Sequence, residues 1–331
     1  MTVYYQDAAV EPEEGETVLD ALLRSGFEVP YGCRAGACQS CMMQVAEESR
    51  SSLPPAAQAG LRENQKQLGY FLACSCKLSG DLRIQDSGDL NQKIPALLLE
   101  KKRVSQSVLL VRFQASLDYR AGQYINLWKD GLHTRSYSLA SLPAVSGDSI
   151  LELHIKLLEN GEFSRWLNSR IEPGETVDIS GPLGECFYTP APEAPLLLLA
   201  MGTGLAPVYG ILQDALRQGH TAPINLVVAA RASGDLYLLE ELRGLAESHP
   251  QLKLHFIAQD NEEGRLGVDE GDVYAYVKEM FPITSGHHVY LCGGENFVRK
   301  MKKQCFLAGA NMKDIHADIF LAFAPSPPPH N

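Results

Sequence analysis

Residues 31–41 read Tyr31-Gly32-Cys33-Arg34-Ala35-Gly36-Ala37-Cys38-Gln39-Ser40-Cys41. The cysteines are spaced C-x4-C-x2-C, and a fourth, Cys74, follows the strand-like Tyr70-Phe71-Leu72-Ala73. Three thiolates on one short loop wrap one side of a bound group and a distant fourth closes the other. That is the ligand spacing of a [2Fe-2S] cluster. Gly32, Ala35, Gly36 and Ala37 are small, so backbone N–H groups can approach the sulfurs and stabilise their negative charge. Four intervening residues and then two, with small residues between, suit zinc poorly. The metal ligands expected are Cys33, Cys38, Cys41 and Cys74, with Cys76 a near neighbour that competes for the fourth place.

Outward from this loop, the composition bounds the rest. A chain of 331 residues suits two or three domains. At 45% hydrophobic and 21% charged it is ordinary globular material. No apolar run approaches a membrane span. The N-terminus lacks a basic region followed by an apolar one, so no signal peptide is expected. Eight cysteines then argue for reduced thiols and metal ligation in a cytoplasmic setting. The net charge of -11 makes a nucleic-acid partner unfavourable. Residues 1–86 carry 12 acids against 7 bases, residues 87–190 carry 12 against 11, and residues 191–331 carry 16 against 11. An acidic first region can be steered toward a basic patch on a redox partner, although solubility alone also explains it.

The chain divides by pattern. Residues 3–10 alternate as a strand that leads into a hairpin near Gly15. Thr17 caps a short helix whose apolar face is Val18, Leu19, Leu22 and Leu23, stopped at Gly26. Strands are expected at 42–46 and 81–85, and a loop at 51–55. Residues 86–92 are polar and turn-rich, which marks a linker. Strands at 104–113, 122–127, 135–139, 151–157 and 176–179, with turns between, suggest an antiparallel barrel. Prolines at 190–195 mark a second boundary. Strands at 196–200, 224–230, 252–258 and 288–292 then alternate with helices at 207–217, 236–247 and 296–307, as in a doubly wound α/β domain. The expected domains are 1–88, 94–190 and 195–324, followed by a Pro-rich disordered tail at 325–331.

Several stretches resemble one family. The cysteine loop, with Leu72-Ala73-Cys74, is similar to the plant-type ferredoxin domain of bacterial oxygenase reductases; this implies a β-grasp fold for residues 1–88 and favours Cys74 over Cys76. Arg135-Ser136-Tyr137-Ser138 resembles the R-x-Y-S flavin signature of the ferredoxin–NADP reductase superfamily. In that likeness Arg135 grips the pyrophosphate of FAD, Tyr137 lies on the flavin ring, and Ser138 reaches its hydride-accepting edge. His154-Ile155-Lys156 resembles the strand under the ring, and Gly161, Phe163 and Ser164 a helix start that caps the pyrophosphate. Met201-Gly202-Thr203-Gly204-Leu205-Ala206-Pro207 forms a strand, a Gly turn and a helix start, a phosphate cradle in the superfamily's form. Leu291-Cys292-Gly293-Gly294-Glu295 resembles its C-G-x-P nicotinamide stretch, with Glu295 in place of a frequent proline or small residue. Phe320, then Phe323, resembles the aromatic that covers the flavin. Cys186 and Cys305 read as buried free thiols.

Arg231 is the one cation near the nucleotide ribose, in a segment that also holds Asp235, so NADH is expected over NADPH. The whole layout resembles the reductase component of bacterial multicomponent oxygenases. It implies hydride transfer from NADH to FAD, then single electrons through the cluster to a terminal oxygenase or another one-electron acceptor protein. No acid–base residue is obligatory, because the cofactors carry the chemistry. Two rivals remain: a reductase for a non-oxygenase acceptor such as a deoxysugar dehydratase, and a redox sensor or binding module without turnover.

Overall fold

A computed structural model describes residues 1–85, 92–189, 191–262 and 264–321. The linker expected at 86–92, apart from Gln92, the tail and Phe323 lie outside these residues.

The first module is a five-stranded sheet with two short helices. Strands β1 (Val3–Tyr5) and β2 (Ala8–Val10) form a tight hairpin. The single strand expected at 3–10 is therefore broken, because Gln6 adopts φ 51° and reverses the chain. Helix α1 (Val18–Arg24) begins with a capping box: Thr17 Oγ1 accepts from the Asp20 N–H at 3.2 Å, and Asp20 Oδ2 accepts from the Thr17 N–H at 3.3 Å. Its apolar stripe buries Val18, Leu19 and Leu22 completely. Strand β3 (Met42–Val45), helix α2 (Glu63–Gln67), and strands β4 (Tyr70–Leu72) and β5 (Leu82–Gln85) complete the module, in sheet order β2-β1-β5-β3-β4. The loop expected at 51–55 is largely wound into 3-10 turns at Glu47–Ser52 and Pro55–Gln58.

The second module is a six-stranded antiparallel sheet. Strand β6 (Ile94–Arg103) pairs with β7 (Val108–Ala115). The strand expected at 104–113 thus starts late, and its partner was hidden by the charged Lys101, Lys102 and Arg103 at the end of β6. Strands β8 (Tyr124–Trp128), β9 (Thr134–Ser138), β10 (Ser149–Lys156) and β11 (Thr176–Leu183) give the order β10-β7-β6-β11-β8-β9. Helix α3 (Glu162–Ser169) packs Phe163 and Leu167 into the core of this sheet. Beyond the end of β9, Leu139 bridges to Leu153 of β10, the other edge strand.

The third module is a parallel sheet ordered β15-β14-β13-β12-β16-β17. Strand β12 (Leu196–Met201) has four leucines that are wholly buried, as a strand covered on both faces requires. It leads into helix α4 (Leu205–Arg217). Strand β13 (Ile224–Ala232) is followed by helix α5 (Leu239–Ser248), which starts later than expected because Leu238 takes φ 57°. Then come β14 (Leu252–Asp260), the short β15 (Asp269–Glu270), helix α6 (Val273–Met280), β16 (His288–Gly294), α7 (Glu295–Leu307) and β17 (Ile315–Phe320). Helix α6 was not expected; Asp272 caps it by accepting from the Ala275 N–H at 2.8 Å.

The second and third modules share a core. Val108, Cys186 and Tyr188 are buried together with Leu196, Ile211 and Cys292. Gly210 lies so close to the second module that a Cβ there would stand 2.8 Å from the Leu139 carbonyl oxygen. This packing fixes the two modules against each other.

Candidate functional site

The cysteine loop is shaped by two non-glycine residues in the left-handed region, Arg34 at φ 55° and Gln39 at φ 58°. Such conformations persist where surrounding structure enforces them. Arg34 is tied to Asp20 of α1 by an ion pair. The turn it makes aims backbone donors at sulfur. Cys33 Sγ accepts N–H groups from Ala35, Ala37 and Cys38, each at 3.3 Å. Cys38 Sγ accepts the Cys33 N–H at 3.3 Å and the Ser40 hydroxyl at 3.1 Å.

These contacts make two thiol pairs. The Cys38 thiol and then the loop N–H groups lower Cys33 to about 5, while Cys33 and then burial push Cys38 up. Cys41 and Cys74 form the second pair: the Cys41 thiol, then Ser75 and the Gly36 N–H, bring Cys74 to about 7. Among the described residues no three His, Cys, Asp or Glu side chains gather for a single metal ion. Two pairs suit a two-iron group with thiolates on each iron, and the aimed N–H donors suit ligands that carry charge. Cys76 differs. It is wholly buried in the core of the module, and burial alone raises its thiol to about 12.

The R-S-Y-S strand is β9, and its two faces do different things. Arg135 and Tyr137 share the face that meets α3: the Tyr137 and Phe163 rings are 6.1 Å apart, and Arg135 lies 5.7 Å over the Phe163 ring. A guanidinium, two aromatic rings and a helix start fit a flavin dinucleotide, whose pyrophosphate needs charge and whose ring needs a flat wall. Gly161 is the N-cap of α3. The Ser164 hydroxyl is engaged within this turn, donating to the Gly161 carbonyl at 3.2 Å and accepting from the Leu158 N–H at 3.3 Å.

On the opposite face of β9, the Ser136 hydroxyl donates to Asn126 Oδ1 at 2.8 Å, and Ser138 donates to Asp318 Oδ2 at 2.7 Å. Burial pushes the Asp318 carboxyl up to about 6, against the opposing pull of the Ser138 hydrogen bond. Asp318 was not singled out in the sequence; its only signal there is an acid inside the apolar alternation of β17.

His154 and Lys156 have a different place from Arg135 and Tyr137. His154 is 4% exposed, with one ring nitrogen 3.0 Å from the Tyr237 hydroxyl and the other 3.1 Å from Glu152. Lys156 donates to the Ser107 hydroxyl at 2.7 Å and lies 3.5 Å from Asp235. Tyr237 and Asp235 belong to the loop after β13. These side chains therefore stitch the second module to the third.

The third module presents a cradle at the ends of β12 and β16. Gly202, Thr203 and Gly204 form a 3-10 turn, and Gly204 is packed flush against the neighbouring strand: a Cβ would lie 2.0 Å from the Cys292 carbonyl oxygen. Gly293 takes φ 148° beside Met201. Pro207 is inside α4, two residues past the helix start rather than at it. The Cys292 side chain is wholly buried, 4.0 Å from Cys186 across the seam. Phe320 stands opposite Gly294 in the β16–β17 register. Arg231, at the end of β13, lines a depression with Gln259, Asp260, Glu262 and Glu270.

The cysteine loop rests on the second module. Tyr31 pairs with His133 in an isolated bridge; the Tyr31 N–H donates to the Leu132 carbonyl at 3.0 Å. Gly32 approaches Thr134 so closely that a Cβ would meet its carbonyl oxygen at 3.1 Å. Three sites thus follow one another, from the glycine cradle through the arginine–tyrosine face to the paired thiols, which is the arrangement of an iron–sulfur flavoprotein oxidoreductase.

Comparison with known proteins agrees. Residues 2–79 match the 2Fe-2S iron-sulfur cluster binding domain, 95–188 the oxidoreductase FAD-binding domain, and 198–303 the oxidoreductase NAD-binding domain. The naphthalene 1,2-dioxygenase system ferredoxin–NAD(P)(+) reductase component of Pseudomonas putida is 30% identical, over 92% of this chain and 94% of its own. The phenol hydroxylase P5 protein of Acinetobacter pittii (strain PHEA-2) is 29% identical, over 95% and 92%. A crystal structure of the Amycolatopsis cytochrome P450 reductase GcoB superposes with a TM-score of 0.67 at 27% identity, over 98% of this chain and 99% of that one. The chain belongs to the family of reductase components of multicomponent oxygenases, oxidoreductases that carry FAD-, NAD- and [2Fe-2S]-binding domains. Among the described residues no helix is long and apolar enough to cross a membrane.

Proposed function

We propose that this chain takes hydride from NADH and delivers single electrons, through a cluster held by Cys33, Cys38, Cys41 and Cys74, to a separate oxygenase. The supporting observation is the contact of the cysteine loop with β8 and with the start of β9, the strand that bears the arginine–tyrosine face. Bound FAD supplies the conversion of one electron pair into two single electrons.

The chain's own residues prepare each end of that path. Gly202, Thr203, Gly204, Gly293 and the start of α4 receive the nucleotide pyrophosphate on backbone N–H groups. Arg135 holds the flavin pyrophosphate, with Gly161, Phe163 and the first turn of α3 beside it. Tyr137 and Phe320 wall the ring, and Ser138 fixes Asp318 near Cys292. The preference for NADH rests on Asp260, Glu262 and Glu270 around Arg231: three carboxylates oppose a 2′-phosphate and leave one cation to offset them. A closed barrel for the second module is supported by the Leu139–Leu153 bridge between its edge strands. A β-grasp reading of the first is supported by α1 packed across its mixed sheet.

The deciding experiment is anaerobic NADH addition to the protein loaded with both cofactors, followed by absorbance. Bleaching of flavin and then of cluster is expected; bleaching of flavin alone would remove the cluster from the path. Reconstitution with an oxygenase separates this reading from a reductase for some other acceptor.

A further inference from the structure

The loop that carries the cluster cysteines is held to the second module by directional bonds. Among the described residues, none of the buried cores joins the first module to the second, in contrast to the core shared by the second and third. Tyr124 and Asn126 stand two apart on β8, so their side chains share a face. The Tyr124 hydroxyl donates to the Ala37 carbonyl at 2.8 Å, and Asn126 Nδ2 donates to the Cys38 carbonyl at 2.9 Å. Two consecutive carbonyls of the loop are thus read by two alternating side chains of one strand.

Asn126 is fixed at both ends. It is 1% exposed, and its Oδ1 accepts the Ser136 hydroxyl at 2.8 Å. Ser136 lies between Arg135 and Tyr137. A single buried amide therefore connects the flavin strand to the backbone of a cluster cysteine. A buried hydrogen bond of this kind is costly to leave unmade and sets geometry sharply.

We infer that Asn126 is the positioning residue for electron transfer within the chain, holding Cys38 and its cluster at a fixed distance from the flavin strand. This rests on the functional reading above. Each passage moves one electron from reduced flavin to oxidised cluster, taking one iron from ferric to ferrous. The two electrons of one hydride need two passages, with the acceptor reoxidising the cluster between them. The flavin proton goes to solvent, and no bond to Asn126 forms or breaks.

The test uses the holoprotein with Asn126→Leu, which is close in size and cannot donate, and Asn126→Asp, which still accepts from Ser136 but sets a carboxylate oxygen against the Cys38 carbonyl. Rapid anaerobic mixing with NADH separates flavin bleaching from cluster bleaching. Flavin bleaching at the wild-type rate is expected, with cluster reduction slowed by about tenfold or more, within what small misplacements cost. The visible circular dichroism of the oxidised cluster, read without any turnover, should change as well. Should Asn126→Leu lose its cofactors, Asn126→Asp decides. Variants that match wild type in cluster reduction, slow both steps equally, or both lose their cofactors overturn the assignment. A wild-type cluster that stays oxidised under NADH overturns the functional reading and this inference together.

Discussion

Ser138 and Asp318 are 180 residues apart and joined by a 2.7 Å hydrogen bond between β9 and β17. The bond ties the strand expected to touch the flavin to the strand that ends at Phe320. It also places an enclosed carboxyl where hydride transfer is proposed.

That carboxyl gives a signed pH prediction. Asp318 titrates near 6 in the folded chain against an ordinary 3.8. The folded state therefore binds the proton more tightly, and stability falls as pH rises from about 4 to about 6. Asp318→Asn removes this penalty, on the order of 3 kcal/mol above the window. Urea unfolding of flavin-free protein should show the variant more stable than wild type at pH 7, with the gap closing at pH 4. An unchanged gap across this range would remove Asp318 as the titrating group.

The two cysteines that the sequence left in competition should separate cleanly. Cys74 faces Cys41, whereas Cys76 is sealed in the core. Cys74→Ser should abolish the cluster's visible absorption. Cys76→Ser should keep it while losing about 1–3 kcal/mol, the cost of burying an unpaired hydroxyl. Absorbance spectra and thermal melts check both, and a colourless Cys76→Ser protein would reverse the assignment.

What the sequence revealed was local. The loop from Cys33 to Cys41 and the Gly202–Thr203–Gly204 turn carry their chemistry within a few residues, so spacing was enough. Thr17 declared the start of α1 for the same reason, while the reciprocal bond from Asp20 came only with the structure. The misses were long-range or hidden by composition. Asn126 meets Cys38 over a separation of 88 residues, and no periodicity marks it. The side-chain partners of His154, Glu152 and Tyr237, come from two modules, and the pattern of its strand does not announce them. Helix α5 was started too early because nothing in Leu238 announces a left-handed backbone.

If the proposed role of the depression around Arg231 holds, its carboxylates set the nucleotide preference. NADH should exceed NADPH in kcat/KM for wild type. Removing two charges with Asp260→Asn and Glu262→Gln should move the ratio toward NADPH by on the order of tenfold, equivalent to about 1.4 kcal/mol. Steady-state rates with both nucleotides measure it. A wild-type preference for NADPH would overturn the electrostatic account of this depression.

Gly202 and Gly204 lie in one turn but are glycine for different reasons, and substitution distinguishes them. Gly202 has φ 57° with nothing within 4 Å of a Cβ, so Gly202→Ala costs only backbone conformation, about 1 kcal/mol. Gly204 has ordinary φ, but its Cβ would fall 2.0 Å from the Cys292 carbonyl oxygen and 2.4 Å from its carbon. Backbone cannot give way as a flexible side chain does. Gly204→Ala must therefore push the turn away from β16, at a cost of about 1–3 kcal/mol or more. The displaced turn is the proposed pyrophosphate cradle, so KM for NADH should rise more in Gly204→Ala than in Gly202→Ala, while the flavin and cluster spectra persist in both. The opposite order of KM would mean that the cradle depends on the left-handed turn at Gly202 rather than on the close packing of Gly204 against β16.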